Sequence, residues 1–339
     1  TYLFASYFLS YSLHSDTVHK EAIAFLKIRV WGVPFLYLFQ ICNALLVGTN
    51  SSRYMKYGFW IQAGLNIFLD YALIFGHFGF PELGFNGAAW ASLIAEIAGM
   101  LVVMGIIFYK RFHHRFSLFH HWKFDKPLAG LIFKQSSPLV AQWLLSIFSW
   151  LLFYIFIEHL GERPLAISNT MRNIFGLFGI FVWAFASTTN AMVSNIIGQG
   201  KKDQVVLLIK KIMWLSIGFT FLLCLLINIF PHLFLSVYGR DKGFVEEAIP
   251  VIRMVTGGMM IMSFSTVWLN AVTGTANTRV NLAIEIVAIA LYSVYVYLVL
   301  KVLHLGLIWA WASEMLYWGV LFILSFLYIR SGKWKQKVI

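Results

Sequence analysis

Apolar residues fill this chain in long, nearly unbroken runs, and polar residues gather in the short stretches between them. A helix needs about 20 residues to cross the hydrocarbon of a bilayer. Runs of that length fall near 24–48, 54–76, 86–109, 129–157, 165–196, 205–231, 248–273, 280–302 and 306–329. Residues 1–13, TYLFASYFLSYSL, read as the tail of a further span. No signal peptide or charged leader precedes them, so the chain is expected to begin partway through a helix.

The pattern also repeats. GTNSSR at 48–53 returns as GTANTR at 274–279, a spacing of 226 residues, and Glu21-Ala22-Ile23 returns as Glu247-Ala248-Ile249 at the same spacing. Ala89-Trp90-Ala91-Ser92 returns as Ala310-Trp311-Ala312-Ser313, 221 residues on. The slippage fits a longer loop, HFGFPELGFNG, in the first copy against KVLHLG in the second. These matches, in one order, predict a parallel duplication of the kind found in transporters. The expected fold is an all-α polytopic membrane protein of two six-helix bundles related by this repeat. Residues 1–125 would form an incomplete first half, and 126–339 a second half of six helices. About three N-terminal helices of the first half would lie upstream of Thr1.

Composition agrees with a membrane as solvent. The chain is 60% hydrophobic, 18% aromatic and 12% charged, where soluble domains carry about 25% charge. Cys42 and Cys224 lie inside apolar runs without metal or disulfide spacing, and read as packing residues.

A net charge of +12 raises the question of nucleic acid, and its distribution answers it. Most Lys and Arg fall in one alternate set of loops, among them Arg53, Lys56, Lys110, Lys201, Lys202 and Lys333. The positive-inside bias therefore predicts a cytoplasmic C-terminus, with Asp16 outside. Arg172 is the one basic residue assigned to the interior of a span.

Charges inside a bilayer cost about 2.5–3.5 kcal/mol at a helix centre, so each embedded one is a functional candidate. Glu285, in LAIEIVAIALY, heads the set. Burial disfavours the charged form of a carboxylate, which suits reversible proton binding; the other reading is a structural partner for a neighbouring helix. Asp70 forms an i, i+4, i+8 stripe with Gln62 and Asn66 and reads as helix pinning or as part of a polar pathway. Glu96 and Glu314 read as interhelical hydrogen-bonding groups. Arg172 shares a face with Ser168 and Asn169, and would either hold the two bundles together or meet an anionic substrate group. Gln142, Ser146 and Ser149 form one polar stripe, Thr266 and Asn270 another, and as sets they would line a wet pathway. The segment HHRFSLFHH (113–121) offers four histidines but reads as a solvated linker, so no metal site is expected. Neither GTNSSR nor GQGKKD has the order of a phosphate loop, and no nucleophile–base constellation appears.

NIFLDYALIFG (66–76) and GFPELGFNGAAWAS (79–92) resemble the fifth and sixth helices of multidrug and toxic compound extrusion (MATE) transporters. SSPLVAQW (136–143) is similar to the start of their second half, and VSNIIGQGKKD (193–203) to the turn after their eighth helix. The resemblance implies a twelve-helix antiporter of the cell (inner) membrane, with a V-shaped central cavity. It would act as a monomer and export organic, drug-like and cationic compounds in exchange for protons or sodium, without another cofactor. The resemblance also marks departures. Many members carry a membrane carboxylate eight residues after the proline that opens the second half, and here that position is Ser146. Their tenth-helix aspartate would fall near Met262–Ser263, where no acid stands. Glu285 is then the first choice for the coupling acid. The alternatives are a flippase for lipid-linked saccharides on the same fold, or a membrane-embedded enzyme.

Overall fold

A computed structural model describes residues 16–119, 124–238 and 242–336. The expected tenth-span tail at 1–13 and the second histidine pair of the 113–121 segment lie outside them. Among the described residues the structure is helical, with nine helices long and apolar enough to cross a membrane. We number them α1 (Asp16–Gly48), α2 (Met55–Phe75), α3 (Phe85–Tyr109), α4 (Lys126–Glu158), α5 (Glu162–Gly198), α6 (Val205–Ile229), α7 (Lys242–Gly274), α8 (Thr278–Tyr297) and α9 (Ser313–Arg330). Every one coincides with an apolar run of the sequence. Large apolar side chains stand exposed along them, Trp31 at 69%, Trp214 at 67% and Phe133 at 75%. That is the arrangement expected where lipid replaces water against the helix faces.

Several boundaries shift for local reasons. The sixth run ends at Ile229 because Pro231, with no N–H to donate, opens a separate short helix, Pro231–Leu235. The last run divides into Leu307–Trp311 and α9. α8 ends in a π-helical turn, Leu298–Val302.

The chain forms two compact units, divided after Lys123. In the first, α3 packs against both α1 and α2. Small residues set the α2–α3 distance: a Cβ on Gly87 would lie 2.6 Å from the Leu73 carbonyl oxygen, and Gly99 lies against Gly58 and Gln62. Membrane helices associate through such close backbone approach, because lipid tails give no hydrophobic drive between helices. In the second unit α7 is central, packing against α5, α6 and α9, while α8 lies between α4 and α9. Its main core includes Met171, Ile227, Ile252, Met259 and Trp311.

The repeated turn is the same object twice. Asn50 and Ala276 are equivalent under the 226-residue shift, and both take left-handed backbone, φ 56° and 59°. Thr49 Oγ1 donates to Leu45 O at 2.8 Å, and Thr275 Oγ1 to Val272 O at 2.7 Å. Each hydroxyl gives a second hydrogen bond to a helix-end carbonyl that the same residue's N–H also reaches. In both units the last helix packs against the first and second of its three-helix repeat.

Candidate functional site

Two stripes of polar residues face each other across the α4–α8 interface. α4 contributes Gln135, Gln142, Ser146 and Ser149; α8 contributes Thr278, Asn281, Glu285 and Tyr292, spaced by three, four and seven residues so that they share one face. Apolar side chains occupy most of the positions between, Ser136, Ser137 and Arg279 excepted. The stripes meet in register. Thr278 Oγ1 donates to Gln135 Oε1 at 3.3 Å, and one turn on Asn281 Nδ2 donates to Gln142 Oε1 at 2.8 Å.

At the centre is Glu285, 1% exposed. Gln142 Nε2 donates to its Oε2 at 3.1 Å, Ser146 Oγ donates to its Oε1 at 2.8 Å, and the Tyr317 hydroxyl of α9 donates to Oε1 as well. Three donors from two other helices thus converge on one carboxyl. An ionised carboxylate only accepts hydrogen bonds, so this shell matches the charged form without buried counter-charge from a base.

Beyond Tyr317 lies a small cavity of about 10 Å³, lined by Ser146, Ser149, Trp150, Tyr292, Glu314 and Tyr317. Glu314 is 4% exposed, and its Oε2 accepts from Trp318 Nε1 at 2.9 Å. That partner is one turn along its own helix, so the expected interhelical bond at Glu314 is replaced by an intrahelical one.

The other sequence candidates lie apart from this cluster. Arg172 is exposed on α5, its Cζ 5.3 Å from the centre of the Tyr154 ring, and it makes no ion pair among the described residues. Tyr154 in turn donates to the carbonyl of Ser168 at 3.0 Å. Asn169 is half-buried beside Ser168, and Asn270 turns back to Thr266 O at 3.0 Å within α7. In the first unit, Gln62 and Asn66 line a groove of about 390 Å³ with Phe59, Ser92 and Glu96. Asn66 Nδ2 donates to Ser92 Oγ at 3.4 Å, and Asp70, on the same stripe, is half-buried with its Oδ1 unpartnered.

One assignment from the sequence is corrected. Arg172 is not the one basic residue inside a span: Arg29 lies inside α1 and pairs with Glu96 of α3 at 2.8 Å. A carboxylate 6% exposed needs such a partner.

Sequence reasoning also missed Asn281 and Tyr317. The i, i+4 spacing of Asn281 and Glu285 could have found the first. The repeat could have found the second: the 221-residue shift maps Glu96 onto Tyr317, and the 226-residue shift maps Phe59 onto Glu285. The acid thus stands on opposite members of the equivalent helix pair in the two units. Among the described residues, no three His, Cys, Asp or Glu gather where they could hold a metal ion.

The MatE family model matches residues 138–299, the stretch that carries the Gln142–Ser146–Glu285 cluster. Over that stretch the chain carries a MatE domain, and it is similar to the MATE family. It is 26% identical over 329 residues to the Probable multidrug resistance protein NorM of Thermotoga maritima, covering 95% of this chain and 69% of that protein. It is 25% identical to the Probable multidrug resistance protein YoeA of Bacillus subtilis, over 67% of this chain and 49% of the relative. The fold is similar to a MOP superfamily transporter from Pyrococcus furiosus, with a TM-score of 0.89 at 15% identity, covering 99% of this chain and 75% of that one. In this chain the second-half position that the resemblance expects to hold a carboxylate holds Ser146, and its hydroxyl donates to a carboxylate supplied by α8.

Proposed function

We propose that this protein is a secondary active antiporter that exports organic, drug-like compounds in exchange for protons, with Glu285 as its coupling acid. The observation that carries this reading is the convergence of Ser146, Gln142 and Tyr317 on a carboxyl that is 1% exposed.

The chemistry follows from counting donors. Ionised Glu285 accepts from all three neighbours and ties α8 to α4 and α9. Protonated Glu285 carries an O–H of its own, so one neighbouring donor must turn away or find another acceptor. The two protonation states therefore favour different packings of the same three helices. An ion can drive a conformational change only through such a difference in affinity between states. A proton fits this shell better than sodium, because the groups around the carboxyl present hydrogens to it. Sodium would require them to present lone pairs.

The resemblance to multidrug resistance relatives supports drug-like substrates, and the excess of basic loop residues supports a cytoplasmic C-terminus in the cell membrane. A single chain acting alone is the simplest assembly consistent with a coupling site held within one unit.

The test is drug efflux by the full-length protein in proteoliposomes under an imposed pH or sodium gradient. Glu285→Gln is expected to bind substrate yet lose pH-driven efflux. Efflux at the wild-type rate would remove Glu285 from the mechanism, and efflux that follows the sodium gradient alone would replace the proton.

A further inference from the structure

We propose that Glu314 is a second proton-binding carboxylate, exchanging its proton with Glu285 through the Tyr317 hydroxyl and one water molecule. The inference rests on Glu285 being the coupling acid, and adds a second station to that site.

Three observations meet here. Glu314 is 4% exposed and carries one hydrogen bond, from Trp318, with no basic residue paired to it among the described residues. The cavity beside it, about 10 Å³, has room for one water, and the hydroxyl-bearing residues Ser146, Ser149, Tyr292 and Tyr317 are among those that line it. The Tyr292 hydroxyl, on a residue 3% exposed, lies beside the Ser313 hydroxyl, and neither completes a well-formed hydrogen bond. A buried phenol with that surrounding calls for a polar occupant, and a water there would have two to four partners, the number buried waters make.

The two sides of Glu285 differ in kind. Towards the start of α8 its neighbours are carboxamides, Asn281 bonded to Gln142 and Gln142 to the acid. An amide N–H donates a hydrogen bond but does not release its proton, so this side holds the carboxylate without feeding it. Towards the start of α9 the neighbours are hydroxyls, a water-sized space and another carboxyl, each able to exchange one O–H bond for another. Protons reach Glu285 from the Glu314 side.

In the transfer, the Glu314 carboxyl gives its proton to the water, and the water passes one of its own protons to the Tyr317 oxygen. That phenol releases its original proton to Glu285 Oε1. Each oxygen on the path breaks one O–H bond as it forms another. Water and phenol end as they began, and the negative charge has moved from Glu285 to Glu314.

The other titratable groups around Glu314 are Tyr292 of α8, Tyr317 on its own helix and Tyr154 of α4, with the Arg172 guanidinium of α5 over the Tyr154 ring. α7 meets Glu314 through Gly258, where an added Cβ would lie 3.1 Å from Glu314 Cβ.

The experiment is infrared spectroscopy of protonated carboxyl bands in the reconstituted full-length protein during a pH titration, with pH-driven efflux measured in parallel. Wild type should show two buried carboxyl bands whose titrations influence each other. Glu314→Gln should remove one band, shift the titration midpoint of the other, and lose pH-driven efflux while still binding substrate. Tyr317→Phe keeps both acids and should uncouple them: both bands remain, but each titrates independently. It also carries the test if Glu314→Gln does not fold. The proposal is overturned if Glu314→Gln removes no titrating band, or if Tyr317→Phe leaves the two titrations coupled. Unimpaired efflux in Glu285→Gln would instead sink the coupling role of Glu285, since the two bands are read without transport.

Discussion

Ser146 Oγ on α4 donates to Glu285 Oε1 on α8 across 2.8 Å. The position expected to carry an acid therefore still touches one, from the other side of a helix interface. This geometry predicts that the charge can be moved across the gap. Ser146→Glu alone puts two carboxyls in contact inside the membrane, where two like charges cannot both ionise. Its thermal stability should fall. Adding Glu285→Ser restores one acid and one hydroxyl, with their helices exchanged. The double variant should be more stable than Ser146→Glu by about 1 kcal/mol or more, as expected for coupled neighbours, and should regain part of the pH-driven efflux. A double variant no more stable than Ser146→Glu would show that the two positions do not share one site.

The helices were legible because each is a long apolar run, and the repeated turn because GTNSSR and GTANTR keep both spacing and backbone conformation. The polar stripe on α4 was legible for the same reason, since Gln142, Ser146 and Ser149 recur with helical period. Which helix it faces was not, because periodicity gives the side of a helix and not its neighbour. Tyr317 carried one signal, its place opposite Glu96 in the repeat, and its residue type carried none in a chain that is 18% aromatic. Arg29 was hidden by position: it follows Lys20 and Lys27 at the edge of an apolar run, where a loop charge and a first-turns helix charge look alike. Only the distance to Glu96 separates them.

The Arg29–Glu96 pair should break asymmetrically. The Glu96 side chain is 7% exposed and that of Arg29 29%. Arg29→Met strands a buried carboxylate and should cost about 2–4 kcal/mol. Glu96→Gln leaves an arginine whose long stem can carry its charge towards a polar surface, and should cost about 1 kcal/mol. Chemical or thermal unfolding of both variants in the same detergent checks the order. Equal losses would mean that the carboxylate finds another partner once Arg29 is gone.

Two glycines of the first unit should respond oppositely to the same methyl group. On Gly87 the added Cβ would lie 2.6 Å from the Leu73 carbonyl oxygen, a backbone atom that cannot step aside. Gly87→Ala must separate α2 from α3 and should cost about 1–3 kcal/mol, as overpacking does. Gly64, inside α2, has nothing within 4 Å of that position. Gly64→Ala should be neutral or stabilise the helix by up to about 1 kcal/mol, through lower backbone entropy in the unfolded chain. Paired melting curves decide it, and a Gly87→Ala protein as stable as wild type would show that the α2–α3 contact is looser than the geometry requires.

Arg172 and Tyr154 define the last prediction. The guanidinium carbon stands 5.3 Å from the ring centre, and the Tyr154 hydroxyl donates to Ser168 O at 3.0 Å. The ring thus holds α5 to α4 twice, its face towards the Arg172 side chain and its tip towards the backbone at Ser168. The two contacts separate by mutation. Tyr154→Phe keeps the ring and should lose only the hydroxyl bond, about 0.6 kcal/mol for a typical bond between membrane helices. Tyr154→Leu removes the ring face as well. A double-mutant cycle of Tyr154→Leu with Arg172→Met should then give a coupling of about 0.5–2 kcal/mol, the range of cation–π pairs from exposed to desolvated. The same cycle with Tyr154→Phe should give less, because the ring that attracts the cation is still present. If both cycles give zero, Arg172 is not held by the ring. Its charge is then available to an anionic group, and loss of efflux for anionic substrates alone in Arg172→Met would identify that role.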